Sequence, residues 1–281
     1  MRAWLILTRP WVCLSTGAIV FASHLSFGGS TQSAAGFLAV LGAILVAAAG
    51  ATTNDLFDLE IDRIGHPNRP LASGVLSRRS ATIFAAASYA AALALFLLVG
   101  PAIFAAGLLW SLVLILYSSL KLRAALAANV ITGALVGFLA IVGSLINETP
   151  VLSQPSLLAL AVLGGIAVIA REVLDDIADL GGDSNRRRTL PMLIGASSTT
   201  LIAAVLLYFA SGLLVLVTAN ADVLAMRLVG PVSAAPAFLA ASALLLRRTS
   251  AVRLSATLLK VAIMSGAFGL LALSIPKVGV G

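Results

Sequence analysis

The acidic residues of this sequence are concentrated in two short segments. The chain contains eleven Asp and Glu residues in 281 positions, and only Glu148 and Asp222 lie outside these segments. The first cluster consists of Asp55, Asp58, Glu60 and Asp62, and the second consists of Glu172, Asp175, Asp176, Asp179 and Asp183. Both clusters directly follow apolar stretches. Because a charge at the centre of a bilayer costs about 2.5–3.5 kcal/mol, this placement indicates a function for the acids.

The two clusters share a four-residue spacing, which places side chains on one face of a helix. The positions that correspond at an offset of 121 residues are Asn54 and Asp175, Asp58 and Asp179, Asp62 and Asp183, Pro70 and Pro191, and Gly74 and Gly195. The pattern predicts two pseudo-repeated halves that run through the membrane in the same direction.

Closely spaced carboxylates repel one another unless cations lie among them. Oxygen ligands without nearby His or Cys favour Mg²⁺ over Zn²⁺, and we interpret His66 as a loop residue. The predicted ligands of a pair of Mg²⁺ ions are Asn54, Asp55, Asp58, Asp62, Asp175, Asp176, Asp179 and Asp183. Among them, we predict Asp58, Asp62, Asp179 and Asp183 to be catalytic.

Basic residues accompany the acids. Arg69 lies between two prolines in HPNRPLASG, where a stiff loop favours a directed contact to phosphate oxygens. We assign Lys121 and Arg123 with Arg69 to the binding of a diphosphate, whereas most other Arg residues are interpreted as determinants of topology.

The composition is that of an integral membrane protein, with a mean hydropathy of +1.08 and 10% charged residues, against about 25% in soluble domains. The sequence predicts one all-α, polytopic domain over 1–281. Its nine predicted spans are 10–28, 35–57, 80–99, 102–120, 124–146, 156–180, 197–219, 226–246 and 254–274. The net charge of +7 is therefore not interpreted as nucleic-acid binding.

The distribution of Lys and Arg predicts the orientation of these spans. Basic residues precede span one and follow spans two, four, six and eight, whereas Arg227 and Lys277 are the exceptions in the alternate loops. The positive-inside rule then places the N-terminus in the cytoplasm and both acidic clusters at the cytoplasmic ends of spans. We predict a protein of the cell membrane with a site that faces the cytoplasm.

Acids, Mg²⁺ and arginines above an apolar chamber suit an isoprenoid diphosphate. The metal would polarise the diphosphate as a leaving group. The apolar walls would keep water from the allylic cation.

At these residues the sequence resembles the UbiA-type intramembrane prenyltransferases. Their N-D-x-x-D-x-x-x-D motif is present at Asn54 to Asp62, and N-R-P-L-x-S-G is present at Asn68 to Gly74. The resemblance implies nine helices around a central chamber and a prenyl transfer that depends on Mg²⁺. The residues that it places in the substrate chamber are Asn68, Tyr117, Asn129, Arg171 and Glu172.

Within that family, REVLDDIADLGGD followed by TLP is most similar to the digeranylgeranylglyceryl phosphate synthase-like subgroup. This similarity implies geranylgeranyl diphosphate as the prenyl donor and a prenylglycerol phosphate lipid as the lipophilic acceptor. The sequence differs from the subgroup pattern at two places that bear on the identity of the acceptor. Asp175 stands where the subgroup has a lysine. The asparagine that usually follows the N-terminal R-P of the family is absent after Arg9 and Pro10.

Other functions stay open at this stage. The acceptor could be an aromatic ring, as in quinone biosynthesis, or the cation could close on itself, as in a membrane terpene cyclase. An aromatic content of 6% disfavours the cyclase. A cation-coupled transporter is disfavoured because both clusters lie at the membrane rim beside arginines.

Overall fold

The computed structural model describes residues 2–120, 125–153, 155–178, 180, 189–219, 224–245, 254–255, 257–259 and 261–262. Every regular element in these residues is helical, so the predicted all-α class is confirmed for the described part of the chain. The α-helices are α1 Arg2–Thr8, α2 Pro10–Ser26, α3 Ala34–Phe57, α4 Leu59–Gly65, α5 Arg78–Val99, α6 Pro101–Leu120, α7 Ala125–Ile141, α8 Gly143–Ile146, α9 Pro155–Ala178, α10 Leu190–Ile194, α11 Ala196–Ala219 and α12 Leu224–Leu245. A short 3₁₀ helix covers Val151–Ser153.

The predicted spans agree with these helices. Helices α2, α3, α5, α6, α9, α11 and α12 begin and end within two residues of seven predicted spans. The predicted span 124–146 is divided into α7 and α8, and most of the span 254–274 lies outside the described residues.

Several helices are suited to a membrane. Among the described residues, α3, α5, α6 and α11 are long and apolar enough to cross it, and α1 with α2 would form a fifth, bent span. The chain is therefore an integral membrane protein, and the count of nine spans stays a prediction.

A bend at Arg9 separates α1 from α2. The two helix axes differ in direction by 49°, and Arg9 adopts a left-handed conformation with φ 49° and ψ 68°. Pro10 disfavours the right-handed helical conformation at the residue before it. A left-handed conformation costs a residue with a side chain about 1–2 kcal/mol, so other contacts have to stabilise Arg9 in this geometry.

In the described part of the chain, two larger apolar clusters hold the long helices together. One core joins α2, α3, α5, α6 and α7 through side chains such as Val46, Phe96 and Trp110. The other joins α9, α11 and α12 through side chains such as Leu174 and Leu207. Many core residues in both are alanines, which let helices approach closely in a membrane protein.

The backbones of helices α7 and α9 approach each other closely near the second acidic cluster. A Cβ atom on Gly133 would lie 2.6 Å from the carbonyl oxygen of Gly165, and one on Gly165 would lie 2.8 Å from the carbonyl oxygen of Gly133. Only glycine allows this crossing, which brings Asn129 on α7 beside the second acidic cluster on α9.

The backbone supports the predicted repeat. Gly74 and Gly195 have φ values of 76° and 84°, and each precedes a long helix, α5 and α11 respectively. The N–H of Gly195 donates to the carbonyl of Pro191 at 3.0 Å, whereas the N–H of Gly74 donates to the carbonyl of Leu71 at 3.1 Å. The two halves therefore share a glycine of positive φ before a long helix, as well as a motif.

Candidate functional site

The first acidic cluster lies where α3 ends and α4 begins. Asp58 interrupts the helix, but its N–H donates to the carbonyl of Asn54 at 2.9 Å, and the N–H of Asp62 donates to the carbonyl of Asp58 at 2.8 Å. The helical register therefore continues through the bend. Asn54, Asp58 and Asp62 stay on one face, as their four-residue spacing predicted.

This face is buried, and the opposite face is not. Asp58 is only 1% exposed, and Asn54, Asp55 and Asp62 are also buried. Glu60 is exposed and pairs with exposed Arg63 at 2.8 Å. The four-residue spacing thus identified Asp58 and Asp62 and excluded exposed Glu60, but it did not include Asp55, which is buried as well.

Each buried carboxylate of the first cluster has a defined partner. Asp55 pairs with Arg9 at 2.6 Å between Oδ1 and Nη2. Nη1 of Arg69 donates to both carboxylate oxygens of Asp62, at 2.7 and 2.8 Å. The side-chain amide of Asn54 donates to Asp58 at 3.1 Å. The cluster is therefore a network of charges and not a set of solvated acids.

Arg69 lies in the loop that follows α4. Its N–H donates to the carbonyl of His66 at 3.0 Å, and neighbouring Leu71 is buried. Burial lowers the pKa of the guanidinium, but the hydrogen bond and charge of Asp62, with Asp55 and Asp58 nearby, outweigh it and raise the pKa of Arg69. Arg69 thus stays positively charged at the site.

Two other predicted positions in this loop are at its surface. Asn68, which the resemblance placed in the chamber, is exposed beside Arg69. His66 is also exposed, in line with its interpretation as a loop residue.

The second acidic cluster lies at the end of α9. Arg171 contacts both Asp175, at 2.8 Å, and Glu172. Asp176 is buried and accepts a hydrogen bond from the side chain of Asn129 at 2.9 Å. Predicted residues Asp179 and Asp183, together with Lys121 and Arg123, lie outside the described residues.

Tyr117 on α6 lies near charged residues of both clusters. Its phenol group lies close enough to interact electrostatically with Asp58 of the first cluster and with Glu172 and Arg171 of the second. Charged residues of both clusters therefore lie within electrostatic range of one side chain.

The donor atoms of the first cluster fit a hard cation. They are carboxylate and amide oxygens in a buried position, and His and Cys are absent from the set. In the part of the chain that the structure describes, no three acidic, His or Cys side chains are grouped closely enough to hold a metal. Asp55 and Asp62 are instead engaged by arginines.

Sequence reasoning missed the role of Arg9. Arg9 was interpreted as a residue that precedes the first span, but it forms the ion pair with Asp55. The two residues are 46 positions apart, and no helical spacing relates them. The only available signal was the pair Arg9–Pro10, which marks a bend in the chain.

A small apolar cavity of about 20 Å³ lies away from the acids. It is lined by residues of α2, α3, α5, α6 and α7, among them Ala43, Phe96 and Trp110. Ala43 precedes Asn54 by eleven residues on α3, which is about 16 Å along the helix. The cavity thus belongs to the apolar interior beneath the charged region.

Comparisons with known proteins show the family of the chain. The model of the UbiA prenyltransferase family matches residues 13–268. A digeranylgeranylglyceryl phosphate synthase from Methanothrix thermoacetophila is 33% identical over 217 residues, which cover 76% of this chain and 79% of that protein. The synthase of the same name from Thermococcus gammatolerans is 32% identical over 206 residues, which cover 73% of each chain.

Solved structures have the same fold. The apo structure of a UbiA homologue from Aeropyrum pernix has a TM-score of 0.76 at 20% identity and covers 93% of this chain and 98% of its own. A UbiA homologue from Archaeoglobus fulgidus, bound to GPP and Mg²⁺, has a TM-score of 0.69 at 18% identity, with coverage of 96% and 99%.

Proposed function

The chain belongs to the UbiA prenyltransferase family, and we propose that it transfers a prenyl group from an isoprenoid diphosphate to a prenylglycerol phosphate lipid with the help of Mg²⁺. In this reaction the bond between C1 of the prenyl group and the diphosphate oxygen breaks. The hydroxyl oxygen of the acceptor then bonds to C1 and loses its proton. The relatives of similar length that carry the synthase name support this choice of acceptor.

The observation that carries the proposal is that charged residues of both acidic clusters lie within electrostatic range of Tyr117. One cluster alone would supply oxygen ligands to one side of a diphosphate. Two clusters on opposite halves can hold metal ions on both sides of the leaving group. The homologue from Archaeoglobus fulgidus binds GPP and Mg²⁺, which supports this type of site.

The roles of the residues follow from their positions. When bound, Mg²⁺ would neutralise the charge that develops on the leaving diphosphate. Asn54, Asp55, Asp58 and Asp62 would hold it from α3 and α4, and Asp175, Asp176, Asp179 and Asp183 from the second half. We propose that Asp58, Asp62, Asp179 and Asp183 are the essential members of this set.

The basic residues would bind the diphosphate itself. Arg69 lies directly beside Asp62, so its guanidinium can contact diphosphate oxygens near the first metal. We assign Lys121 and Arg123 to the same role. Tyr117, Asn129, Arg171 and Glu172 would line the chamber between the halves, and Asn68 would lie at its mouth.

The remaining features are proposed from the sequence. We infer a single domain of nine spans over 1–281, in the cell membrane, with the N-terminus and the site on the cytoplasmic side. We also infer that the donor is geranylgeranyl diphosphate, because the subgroup motif extends through Arg171, Glu172, Asp176 and Thr189.

The proposal is tested with the purified full-length protein in lipid nanodiscs. Radiolabelled geranylgeranyl diphosphate and Mg²⁺ are supplied with geranylgeranylglyceryl phosphate, with 4-hydroxybenzoate, or without an acceptor. We expect a labelled lipid that retains its phosphate in the first reaction only.

Each other result has a defined meaning. A product with 4-hydroxybenzoate alone would replace the lipid acceptor by an aromatic one. A labelled hydrocarbon without acceptor would indicate a cyclase. Failure to consume the diphosphate under all three conditions would contradict prenyl transfer.

A further inference from the structure

The N-terminal helix α1 contacts the site although it lies outside the residues that match the family model. That match begins at residue 13, whereas α1 covers Arg2–Thr8 and is followed by Arg9. The match therefore does not cover α1 or Arg9.

Helix α1 packs against the segment that carries Asp62 and Arg69. Leu7 is completely buried in a small cluster with Leu59 of α4 and Leu71 of the following loop. The ring of Trp4 lies 5.1 Å from the ring of Phe84 on α5. These contacts fix the end of α1, and with it Arg9, at the edge of the first acidic cluster.

Arg9 and Asp55 form an ion pair with unequal burial. The side chain of Arg9 is 41% exposed, whereas that of Asp55 is 6% exposed. A buried carboxylate requires a cation or hydrogen-bond donors nearby, but Arg9 can return to water readily. The contact is also single, between one guanidinium nitrogen and one carboxylate oxygen.

The ion pair and the metal use the same carboxylate. A carboxylate oxygen that accepts a hydrogen bond from Arg9 at 2.6 Å has little room for a Mg²⁺ ion at about 2.1 Å. Arg69 differs, because its Nη1 contacts both oxygens of Asp62 from a loop and it is less exposed than Arg9. Arg9 is thus the partner that can be exchanged more easily.

We propose that Arg9 is a positioning residue that serves as the counterion of Asp55 in the metal-free protein and leaves this carboxylate when Mg²⁺ binds. In this exchange the buried Asp55 side chain has a positively charged partner at each stage. It rests on the proposed function, since it requires that the first cluster binds a divalent cation.

The test measures the affinity of the purified full-length protein for Mn²⁺ without substrate, from the electron paramagnetic resonance signal of the free ion. The charge is removed in Arg9→Gly, which adopts a positive φ without strain, and in Arg9→Gln. Arg9→Lys keeps a cation that can form the same single contact. Arg63→Ala is the matched control, because it removes an arginine that pairs with exposed Glu60 from the neighbouring helix.

Removal of a competing cation raises the affinity for the metal. We expect Arg9→Gly and Arg9→Gln to bind Mn²⁺ roughly fivefold more tightly than Arg63→Ala. Arg9→Lys should bind it with an affinity close to that of the wild type. A purely structural role of Arg9 would not increase the affinity of any variant.

The exchange is overturned if both charge-removing variants bind Mn²⁺ no more tightly than Arg63→Ala, or if Arg9→Lys binds it as tightly as Arg9→Gly. In either case Mn²⁺ binding by the wild type would leave the proposed function intact. A wild type that binds no Mn²⁺ would contradict the metal requirement of that function, and the exchange with it.

Discussion

The two acidic clusters obtain their positive partners in different ways. In the first cluster, Asp55 pairs with Arg9, which is 46 positions away, and Asp62 pairs with Arg69 in the following loop. In the second cluster, Asp175 pairs with Arg171 of the same helix, one turn earlier. The clusters therefore correspond in sequence but differ in how the fold supports them.

This difference has energetic consequences. A pair at i and i+4 on one helix contributes only about 0.3–0.5 kcal/mol and forms without the rest of the fold. The pairs of the first cluster exist only after α1, α3 and the Arg69 loop have packed together. We conclude that the first cluster is assembled by tertiary structure, whereas part of the second is assembled by a single helix.

Removal of divalent cations should have the largest effect, because it disables both clusters. We expect excess EDTA to abolish the consumption of prenyl diphosphate and Mg²⁺ to restore it, since the proposed ligands are all oxygens. The measurement is release of diphosphate with and without the chelator. Undiminished turnover in excess EDTA would rule out a bridging metal.

The next largest effect is expected at the centre of the first cluster. Asp58→Asn should reduce kcat by at least about a hundredfold, because a neutral amide is a poor ligand for Mg²⁺. Glu60→Gln is the control, since Glu60 belongs to the same segment but is exposed. Equal activities of the two variants would show that burial does not distinguish functional from surface acids here.

Arg69 should affect the diphosphate substrate and not the acceptor. We expect Arg69→Ala to raise the KM for the prenyl diphosphate by about tenfold, with little change in the KM for the acceptor. Arg69→Lys should recover only part of this loss, because a lysine offers a point charge. The measurements use equal amounts of inserted protein. If Arg69→Ala leaves both kcat and the KM for the prenyl diphosphate unchanged, Arg69 contributes only to the orientation of the spans in the membrane.

A smaller loss of activity is expected when one hydrogen bond of the second cluster is removed. Asn129→Ala removes the hydrogen bond to Asp176 and should lower kcat/KM about fivefold to tenfold. Asn147→Ala is a matched control, because Asn147 donates to the backbone carbonyl of His24 in another part of the fold. A similar loss of kcat/KM in both variants would indicate that the loss reflects stability.

The smallest effect concerns the repeat. Gly74→Ala and Gly195→Ala should each lower the free energy of unfolding by about 1 kcal/mol, because both glycines have positive φ and an added Cβ would meet no neighbour. Gly65→Ala should lack this penalty, since its backbone is in the ordinary range and its Cβ would also be unobstructed. Chemical denaturation in detergent measures the three variants. If the two substitutions lower the free energy of unfolding by different amounts, the case that Gly74 and Gly195 occupy corresponding positions would be weaker.

Much of this fold was predictable because long apolar stretches give clear helix limits. The stripe of Asn54, Asp58 and Asp62 was also predictable, since its spacing persists through the bend at Asp58. The pairing of Arg9 with Asp55 was not, because it depends on how α1 packs against α4. Four residues with predicted roles lie outside the described residues, namely Asp179, Asp183, Lys121 and Arg123, so their roles stay predictions.

The central claim is that both clusters act on one diphosphate. It is tested most directly by electron paramagnetic resonance of Mn²⁺ bound together with an unreactive thiolo analogue of geranylgeranyl diphosphate. The account predicts two bound Mn²⁺ ions whose spectra show magnetic coupling, since one diphosphate would bridge them. Bound Mn²⁺ without coupling, at any ratio of metal to protein, would contradict it.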